Sequence, residues 1–587
     1  MKIKLRIDAL ICEIIFVLCL FAIMPCRVSA VVTDNASDLI VPVGETYTLS
    51  AGAHTYTNSV QINGTLYGSQ YNGSTGSGVI EITTKILTVN GTINVSGKGY
   101  GYGVGPGAGT NVGGGNAQNG SEAGSGGGYG GLGGNSDIAT GGMGYGSITE
   151  PADIGSGGGS SGPVSGGAGA GRLKITVTGD AVINGDIVSN GVNGGYSTVN
   201  YNGYWRAMAG GGGAGGSIYL VVDGEISGTG NISANGGGVS GKAGGGGGGR
   251  IAIYCGSNNF SGNITAYAGG VSPQAGGVGT VYMKKSFQAN GDLILKNNFN
   301  LGNTLISGTF DNVYVRDSAN IKISSGSSLY STNVYVQNGG ILTNYGTLSV
   351  SEIALVQANG YIRQNGGDFT VGTFTVDSYG TLYLDSKIIA GSVIIKENGL
   401  LTHDTKITGS ELQISGDLVV ETGGKIDLSG KGHGIAEGPG AGTSVGGGNA
   451  QNGSEAGSGA GHGGLGGNSD IAVGGAFYGI LKQPAELGSG GGNSGPVSGG
   501  SGAGTIKISV AGNANIDGDI ILNGTNGQYS TVYYNGWWRA MAGGGGSGGS
   551  IYLNIQGGLN GTGRITAKGG NVSGKAGGGA GGRIALY

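Results

Sequence analysis

Short apolar–polar–apolar triplets recur along the middle of the chain at a nearly constant interval, and their first residues lie 21, 19, 21, 19 and 19 apart. Such triplets are typical of half-buried β-strands, because successive side chains of a strand point to opposite faces. Asn-Gly pairs such as Asn338-Gly339 separate them, and both residue types tolerate the positive φ that a sharp corner requires. The triplets lie at 313–315, 334–336, 353–355, 374–376, 393–395 and 412–414.

This spacing predicts an all-β fold, specifically a right-handed parallel β-helix (β-solenoid) with long glycine-rich inserts. Each strand would pair with its equivalent one coil away, at about 4.8 Å per coil, and each coil would bury its apolar side only between its neighbours. A propeller blade requires a period of about 40 residues, and a sandwich does not maintain a short regular spacing. Helices are not expected after residue 30, because glycine interrupts every candidate segment.

Two copies of one long module flank this central segment. Residue 93 matches residue 426, an offset of 426 − 93 = 333, and the register then continues without a gap, so that Trp205 matches Trp538. Because the second copy stops at Tyr587 while the first continues beyond the matching position, we expect the chain to be a fragment of a longer protein. The predicted divisions are a signal peptide at 1–30, an N-terminal β cap with the first coils at 31–92, the first glycine-rich module at 93–298, a short-period β-solenoid at 299–425 and a truncated second module at 426–587.

Glycine accounts for 142 of the 587 residues, several times its ordinary usage of about 7%. The glycines have no strict third-residue period and the chain has only 9 prolines, which excludes collagen. Tracts such as 124–134 and 210–216 keep their length in the second copy, which a flexible linker has no need to do. We expect them to be excursions from the coil, either packed as ordered polyproline-II layers or mobile as surface loops.

The N-terminal segment predicts export. Lys2 and Arg6 lie in a basic start, 14–24 is apolar, and 28–30 fits a signal-peptide cleavage site. An uncleaved anchor is the alternative, although the apolar segment is shorter than the about 20 residues of a transmembrane helix. The mature chain is predicted to be secreted or at the cell surface, without a membrane span. It would retain only Cys255, which excludes an intramolecular disulfide.

Charge and scattered polar residues offer little chemistry. The chain has 29 basic and 33 acidic residues and no basic cluster of the kind that nucleic-acid binding requires. His462 replaces Tyr129 of the first copy, so we interpret it as an exchangeable surface position. Asp385 and Asp404 match the coil period, since 404 − 385 = 19, and could stack on one side of the coil. We interpret them as solvated corner carboxylates without an accompanying cluster of arginine or lysine. The sequence therefore predicts no enzyme, no catalytic residue and no cofactor.

Calcium is the one ion that stays an alternative. The segment 133–137 is an imperfect match to the Gly-Gly-x-Gly-x-Asp repeats of secreted calcium-binding proteins, and it recurs only at 466–470. Glu122, Asp137 and Glu150 add acidic side chains in the first module. Without tandem repetition, however, each ion would lack the ligands of the next coil.

One aromatic segment is distinctive in each module. Tyr-Asn-Gly-Tyr-Trp-Arg-Ala-Met at 201–208 recurs as Tyr-Asn-Gly-Trp-Trp-Arg-Ala-Met at 534–541, and the two segments hold all three tryptophans of the chain. Such aromatic residues stack on sugar faces or anchor a partner; the interpretation we favour is instead that they cover glycine strands that lack side chains. The candidate ligand contacts are Tyr201, Tyr204, Trp205, Arg206, Tyr534, Trp537, Trp538 and Arg539.

Gly-Gly-Ser-Ile-Tyr-Leu at 215–220 and Gly-Gly-Arg-Ile-Ala-Ile-Tyr at 248–254 resemble glycine-rich β-helix regions of large microbial surface proteins, including adhesins and autotransporter-passenger-like chains. The resemblance implies a scaffold displayed at a cell surface or in an extracellular matrix, with adhesion as its function. Expected partners are extracellular glycans or the surface of a host or neighbouring cell. The alternatives are a carbohydrate-binding module and, further away, a polysaccharide lyase or hydrolase built on a β-helix.

Overall fold

A computed structural model describes residues 31–113, 122–201, 203–271, 273–298, 302–446 and 455–587, without the side chain of Trp537. The predicted signal peptide at 1–30 lies outside the described residues. Within them the fold is all-β and contains no helix, which confirms the predicted class. No described segment is therefore a helix that is long and apolar enough to cross a membrane.

Apart from antiparallel hairpins at 196–209 and 529–542, the strands form parallel ladders. Those before residue 286 pair in three ladders, preceded by the short antiparallel strand Thr33–Asp34. The first ladder contains Gly52–Thr55, Val79–Thr84, Arg172–Val177, Ser217–Gly228, Arg250–Phe260 and Thr280–Lys285. The second contains Asp38–Val41, Ser59–Ile62, Ile86–Val89, Ala181–Ile183 and the distal halves of Ser217–Gly228 and Arg250–Phe260. The third contains Thr46–Leu49, Thr65–Gly68, Thr92–Asn94, Asp186–Val188, Asn231–Ser233 and Asn263–Thr265.

The strands after residue 291 form three further parallel ladders. Two of these ladders share the long strands Gly308–Arg316, Ser328–Val336, Thr347–Val356, Asp368–Val376 and Ile388–Ile395. One of the two continues through Glu411–Ile414, Thr505–Val510, Ser550–Ile555 and Arg583–Leu586. The other begins at Asp292–Lys296 and continues through Leu418–Val420, Ala514–Ile516 and Leu559–Asn560. The third contains Asn303–Leu305, Asn320–Ile323, Ile341–Asn344, Tyr361–Gln364, Thr381–Leu384, Leu400–Thr402, Lys425–Asp427, Asp519–Ile521 and Arg564–Thr566.

The predicted triplets are strands, but two of them are placed incorrectly. Val334 is buried as predicted, and its partner in the next strand is Ala354, which is also buried. Ile353, which the triplet pattern directs inward, is instead 40% exposed, because the pairing shifts by one residue there. The triplet at 412–414 pairs with the first half of Ile388–Ile395 and so belongs to the neighbouring ladder.

The apolar interior is divided into two cores. Ile253 is fully buried in the N-terminal core, and Val315 is fully buried in the C-terminal core. The two sets of ladders meet where Thr280–Lys285 pairs antiparallel with Asp292–Lys296. The repeat pattern predicts parallel neighbours throughout, so this reversal is a feature that sequence reasoning missed.

The described glycine tracts pack against one another and are hydrogen-bonded, as the ordered form expected from the sequence requires. Residues 122–131 are buried, and none of the glycines among them has a positive φ. Their N–H groups donate to carbonyl groups of other tracts, as Gly127 does to Gly212 at 2.9 Å. A Cβ on Gly211 would overlap the carbonyl oxygen of Ser125. Only glycine therefore permits this close approach of backbones.

Most hydrogen bonds of the first glycine layer recur at the matching positions of the second copy. Gly126 donates to Gly134 at 2.9 Å, and Gly459 donates to Gly467 at the same distance. Each tract must place its N–H groups opposite fixed carbonyl groups of its neighbours. This requirement explains why the tracts have the same length in the two copies.

Candidate functional site

The aromatic segments form two antiparallel hairpins. The first pairs Tyr196–Tyr201 with Tyr204–Ala209, and the second pairs Tyr529–Tyr534 with Trp537–Ala542. The Asn-Gly turn of the second hairpin has positive φ at both residues. This conformation matches the twist of the flanking strands, which explains why the sequence forms a tight hairpin here.

Each hairpin has an inner and an outer face, because directly opposed residues of an antiparallel pair point the same way. Asn200 and Trp205 oppose each other on the outer face, and Trp205 is 72% exposed. Ser197 and Met208 oppose each other on the inner face, and Met208 is fully buried. We define the outer aromatic faces as Tyr196, Thr198, Asn200 and Trp205 in the first hairpin, and Tyr529, Thr531, Tyr533 and Trp538 in the second.

Met208, and not Trp205, covers the neighbouring glycine backbone. Its terminal methyl group lies 3.2 Å from the Cβ position of Gly162, and the ring of Tyr201 lies 3.6 Å from the same position. The interpretation that the aromatic side chains cover glycine strands is therefore wrong for Trp205 and for the 71% exposed Trp538, but it holds for the ring of Tyr201 over Gly162. Strand alternation explains the error, because the methionine and the tryptophan lie on opposite faces of one strand.

The other candidate contacts divide between the two faces. Arg206 and Arg539 are each only 8% exposed, so the inner face holds both guanidinium groups. Arg206 lies 5.7 Å from the ring centre of Tyr204, which is itself 68% exposed at the hairpin tip. Tyr201 and Tyr534 are half-buried. The exposed candidates with described side chains are thus Tyr204 and the two outer tryptophans.

Sequence reasoning missed the tyrosines on the outer aromatic faces. Tyr533 opposes Trp538 with ring centres 5.7 Å apart in an edge-to-face arrangement. Asn200 takes the place of Tyr533 in the first hairpin, so the second face has one more aromatic ring. Tyr196 and Tyr529 are 55% and 53% exposed. Alternate residues of a strand lie on the same face, and these tyrosines occupy such alternate positions in the strand before each Asn-Gly turn. That spacing is the signal that identifies them.

The outer aromatic faces are electrically neutral. The segments 196–209 and 529–542 contain no carboxylate, and their single arginine lies on the inner face in each copy. Exposed rings are thus combined with hydroxyl groups of threonine and tyrosine, and with an amide in the first copy. An aromatic ring flanked by neutral hydrogen-bonding groups suits an uncharged ligand with an apolar face and a polar rim, such as a sugar ring.

Asp385 and Asp404 do stack on one side, as the spacing predicted, but an arginine joins them. Arg363 Nη1 lies 2.9 Å from an oxygen of Asp385 and also contacts Asp404. Asp385 is only 8% exposed, so the interpretation as a solvated corner carboxylate is wrong for it, whereas the Asp404 side chain is 48% exposed. Glycoside cleavage requires two carboxylates with the sugar bond between them, and here the guanidinium occupies that space.

His462 is buried, so its interpretation as a surface position is wrong. It is fully inaccessible, its Nδ1 lies 2.7 Å from the carbonyl oxygen of Gly548, and its ring packs 4.8 Å from that of Tyr478. Burial lowers the pKa of His462. Tyr129, the matching residue in the first copy, is equally inaccessible. The position at which His462 replaces Tyr129 therefore lies inside the glycine layer rather than on its surface.

The structure pairs the calcium candidates with lysines. Asp137 lies 3.6 Å from Lys242, and Asp470 lies 3.7 Å from Lys575 in the second copy. Within the described residues, no group of three or more histidine, cysteine, aspartate or glutamate side chains is arranged to hold a metal ion. An ammonium group beside each carboxylate is an unfavourable neighbour for a bound cation.

Comparisons of the chain with protein-family models, with curated proteins and with solved structures found no match.

Proposed function

We propose that the protein is a secreted or cell-surface scaffold and adhesin, built as a right-handed parallel β-helix and binding extracellular glycans. The ladders support the β-helix, because successive long strands of the central segment pair in parallel with one another. The preference of parallel crossover connections for one hand supports the right-handed winding. The predicted export signal and the resemblance to microbial surface proteins support the location.

The scaffold role is supported by how the chain is held together. Long parallel ladders, two apolar cores and hydrogen-bonded glycine layers stabilise the fold without a disulfide among the described residues. The one cysteine in that part of the chain, Cys255, is buried and unpaired. Because each coil is stabilised by its neighbours, such an architecture extends in one direction and separates surface groups by large distances.

The observation that carries the adhesin proposal is the exposure of Trp205 and Trp538. Monomeric proteins place single apolar residues on their surface routinely, but here the same exposed ring recurs at the matching position of the second hairpin. The inner faces already supply the packing of each hairpin through the methionines. The outer rings are thus available for a ligand, and tryptophan and tyrosine are the residues that most often dominate binding energy at an interface.

Two separated faces favour a long ligand over a short one. About eleven strand-to-strand steps of about 4.8 Å separate the coils that hold the hairpins, which is on the order of 50 Å. A polysaccharide long enough to span this distance is the ligand that we propose. Two weak contacts on one ligand bind together more tightly than either alone, by a factor of about 10² to 10⁴ when the geometry permits.

A glycan array probed with the purified protein tests the proposal. We expect binding to neutral polysaccharides, and we expect Trp205→Ala with Trp538→Ala to abolish it while leaving the melting temperature unchanged. Phe287→Ala is the matched control, because Phe287 is an aromatic residue of similar exposure, 79%, outside both hairpins. This control should bind as the native protein does.

Three outcomes would overturn the proposal. The array shows no glycan binding; the double variant binds normally; or the double variant loses its melting transition together with binding, which would make the tryptophans structural. Release of shortened oligosaccharides from a bound polysaccharide would instead favour the enzyme alternative.

A further inference from the structure

The two hairpins are nearly identical, but their outer aromatic faces differ at one position. Segments 196–209 and 529–542 have the same residue at all but two matching positions, one of which lies at the hairpin tip. The other position holds Asn200 in the first hairpin and Tyr533 in the second, each directly opposite the outer tryptophan. Because opposed residues of an antiparallel pair lie on the same face, this exchange changes the surface beside the exposed tryptophan ring.

Tyr533 gives the second outer face a pair of adjacent rings. The planes of Tyr533 and Trp538 are inclined by 65°, with the ring centres 5.7 Å apart. Their mutual contact covers little of either side chain, since Tyr533 is 64% exposed and Trp538 is 71% exposed. The second face therefore offers a ligand two open rings that meet at an angle.

Binding to such a pair of rings depends mainly on how much apolar area the ligand covers. The hydrophobic contribution to binding is non-directional and roughly proportional to the apolar area removed from water. A sugar ring supplies this area through its C–H groups, whichever way a hydroxyl group on its edge points. We therefore expect the second face to bind neutral sugars with little distinction among them.

Asn200 gives the first outer face one ring and one amide group. Trp205 is 72% exposed, and Asn200 opposite it is also exposed. An asparagine amide has two N–H donors and one acceptor oxygen in a fixed plane. A sugar hydroxyl group can pair with this amide only from a matching position, and a ligand that displaces water without pairing leaves the amide unsatisfied.

From this difference we propose that Asn200 and Tyr533 determine the ligand specificity of the two outer aromatic faces. The first face binds neutral sugars more weakly but distinguishes the orientation of a hydroxyl group. The second face binds them more tightly and with little distinction. This inference rests on the proposed function and extends it, since it names the residue that makes one glycan contact selective and the other general.

Single tryptophan variants of the purified protein isolate the two faces. Trp538→Ala leaves the first face intact, and Trp205→Ala leaves the second. The probes are the β-1,4-linked hexasaccharides of glucose and of mannose, which differ only in the orientation of one hydroxyl group in each unit. Both probes are too short to reach from one face to the other, so each titration, followed by ligand-observed NMR, gives the Kd of one face.

The two faces should differ in both affinity and selectivity. We expect Trp538→Ala to bind one probe about fivefold more tightly than the other, the effect of about one hydrogen bond. We expect Trp205→Ala to bind the two probes with similar Kd values, within about twofold of each other. These values should be about fivefold lower than the Kd of Trp538→Ala for its weaker probe, because an aromatic ring is added to the contact.

Reciprocal exchanges at the one differing position then test the cause. Asn200→Tyr in the Trp538→Ala protein should remove the preference and tighten binding of the weaker probe about fivefold. Tyr533→Asn in the Trp205→Ala protein should weaken binding and introduce a preference. Each exchange copies a side chain that the other hairpin already holds at the matching position, so the melting temperature should not change.

Asn200→Ala in the Trp538→Ala protein separates the amide from the ring. It removes the hydrogen-bonding group without adding an aromatic side chain, so the preference should disappear while binding does not tighten. A preference that survives Asn200→Ala would show that the amide does not select the ligand.

The outcomes separate this inference from the proposed function. If the native protein binds no neutral polysaccharide on the glycan array, the proposed function fails and this inference fails with it. If the array shows binding, but the reciprocal exchanges leave affinity and preference as they were, the proposed function stands and the role of Asn200 and Tyr533 is overturned. The same conclusion follows if the two single tryptophan variants are equally selective, or if either of them binds neither hexasaccharide.

Discussion

Tyr282 and Leu293 oppose each other across the antiparallel pair that joins the two sets of ladders, and both side chains lie in the C-terminal core. Val281 and Ile294, the adjacent opposed pair, lie against the N-terminal core. Because neighbouring residues of a strand point to opposite faces, these two strands close both cores. The C-terminal core therefore lies on the other side of the large sheet from the N-terminal core.

This change of side has a consequence for the proposed β-helix. Reversing the strand direction alone would invert the handedness of the winding, and so would moving the interior to the other side of the sheet. Both changes occur together at Thr280–Lys285 and Asp292–Lys296, so in the proposed β-helix the two windings would have the same hand. Two modules of nearly the same sequence can thus adopt the same local structure on either side of the reversal.

Replacing Tyr282 tests how strongly this junction stabilises the protein. Tyr282 is 2% exposed, and its hydroxyl group donates to the carbonyl oxygen of Asn290 at 2.7 Å. We expect Tyr282→Ala to lower the free energy of unfolding by about 3–5 kcal/mol, the usual cost of emptying a large aromatic site. Tyr282→Phe should cost only about 1 kcal/mol, since it removes one hydrogen bond. Urea unfolding measures both, and equal midpoints for the two variants would contradict the closure of the core by this ring.

A single methyl group tests the packing of the glycine layers. We expect Gly211→Ala to destabilise the protein by about 3 kcal/mol or more, because its Cβ would overlap the carbonyl oxygen of Ser125 and force a backbone shift. Gly101→Ala is the matched control in the same module, since a Cβ there has no atom within 4 Å. Its effect should stay within about 0.5 kcal/mol. Thermal melting of the two variants side by side would reject ordered layers if both melt at the native temperature.

The sequence could predict the strands of the central segment because period-two alternation and corner residues act locally. Val334 follows that pattern and is buried. Ile353 does not, since its own strand has one extra residue between Val350 and Ile353 that moves the register by one, and no composition rule detects such a shift. The packing of Gly211 against Ser125 is also invisible to local rules, because it depends on which tract lies next to which.

The candidate site could be predicted in part. The repeated aromatic segment directs attention to Trp205 and Trp538, whose exposure follows from the hairpin alternation. Arg206 is a candidate because arginine is common in binding sites, but its place in the strand puts it on the inner face.

Arg363 tests whether the ion pairs with Asp385 and Asp404 support the fold. The Asp385 side chain is 2% exposed, while that of Arg363 is 21% exposed. Removing the cation leaves a buried carboxylate without its ion pair, so we expect Arg363→Ala to cost about 3 kcal/mol, the lower end for a broken buried pair. Urea unfolding of the variant beside the native protein measures this loss.

Two further variants interpret that result. Arg564 and Asp519 form an exposed pair, so Arg564→Ala is the matched control and should leave the unfolding midpoint unchanged. The double variant Arg363→Ala with Asp385→Asn should recover part of the lost stability, because it removes the unpaired charge as well. If Arg363→Ala alone unfolds at the native urea concentration, the ion pairs do not stabilise the fold.

His462 gives the protein a pH dependence that its first copy lacks at the matching position. Burial lowers the pKa of His462 below its ordinary value, so the folded state holds this ring neutral in a range where the unfolded chain already binds a proton. The stability that the neutral His462 ring contributes is then fully present above the unfolded pKa of about 6.5. It decreases as the pH falls from there to the folded pKa, below which the loss is constant.

We therefore expect the melting temperature to fall as the pH is lowered from about 7.5 to about 5, through the unfolded pKa of histidine. His462→Tyr should reduce that fall, because the first copy has Tyr129 at this position and holds its hydroxyl group 2.5 Å from Ser217 Oγ. Part of the fall should remain, since burial lowers the pKa of His403 as well. The reciprocal variant, Tyr129→His, should make the fall steeper. If the melting temperature falls by the same amount over this pH range in the native protein and in both variants, the buried ring does not couple protonation to folding.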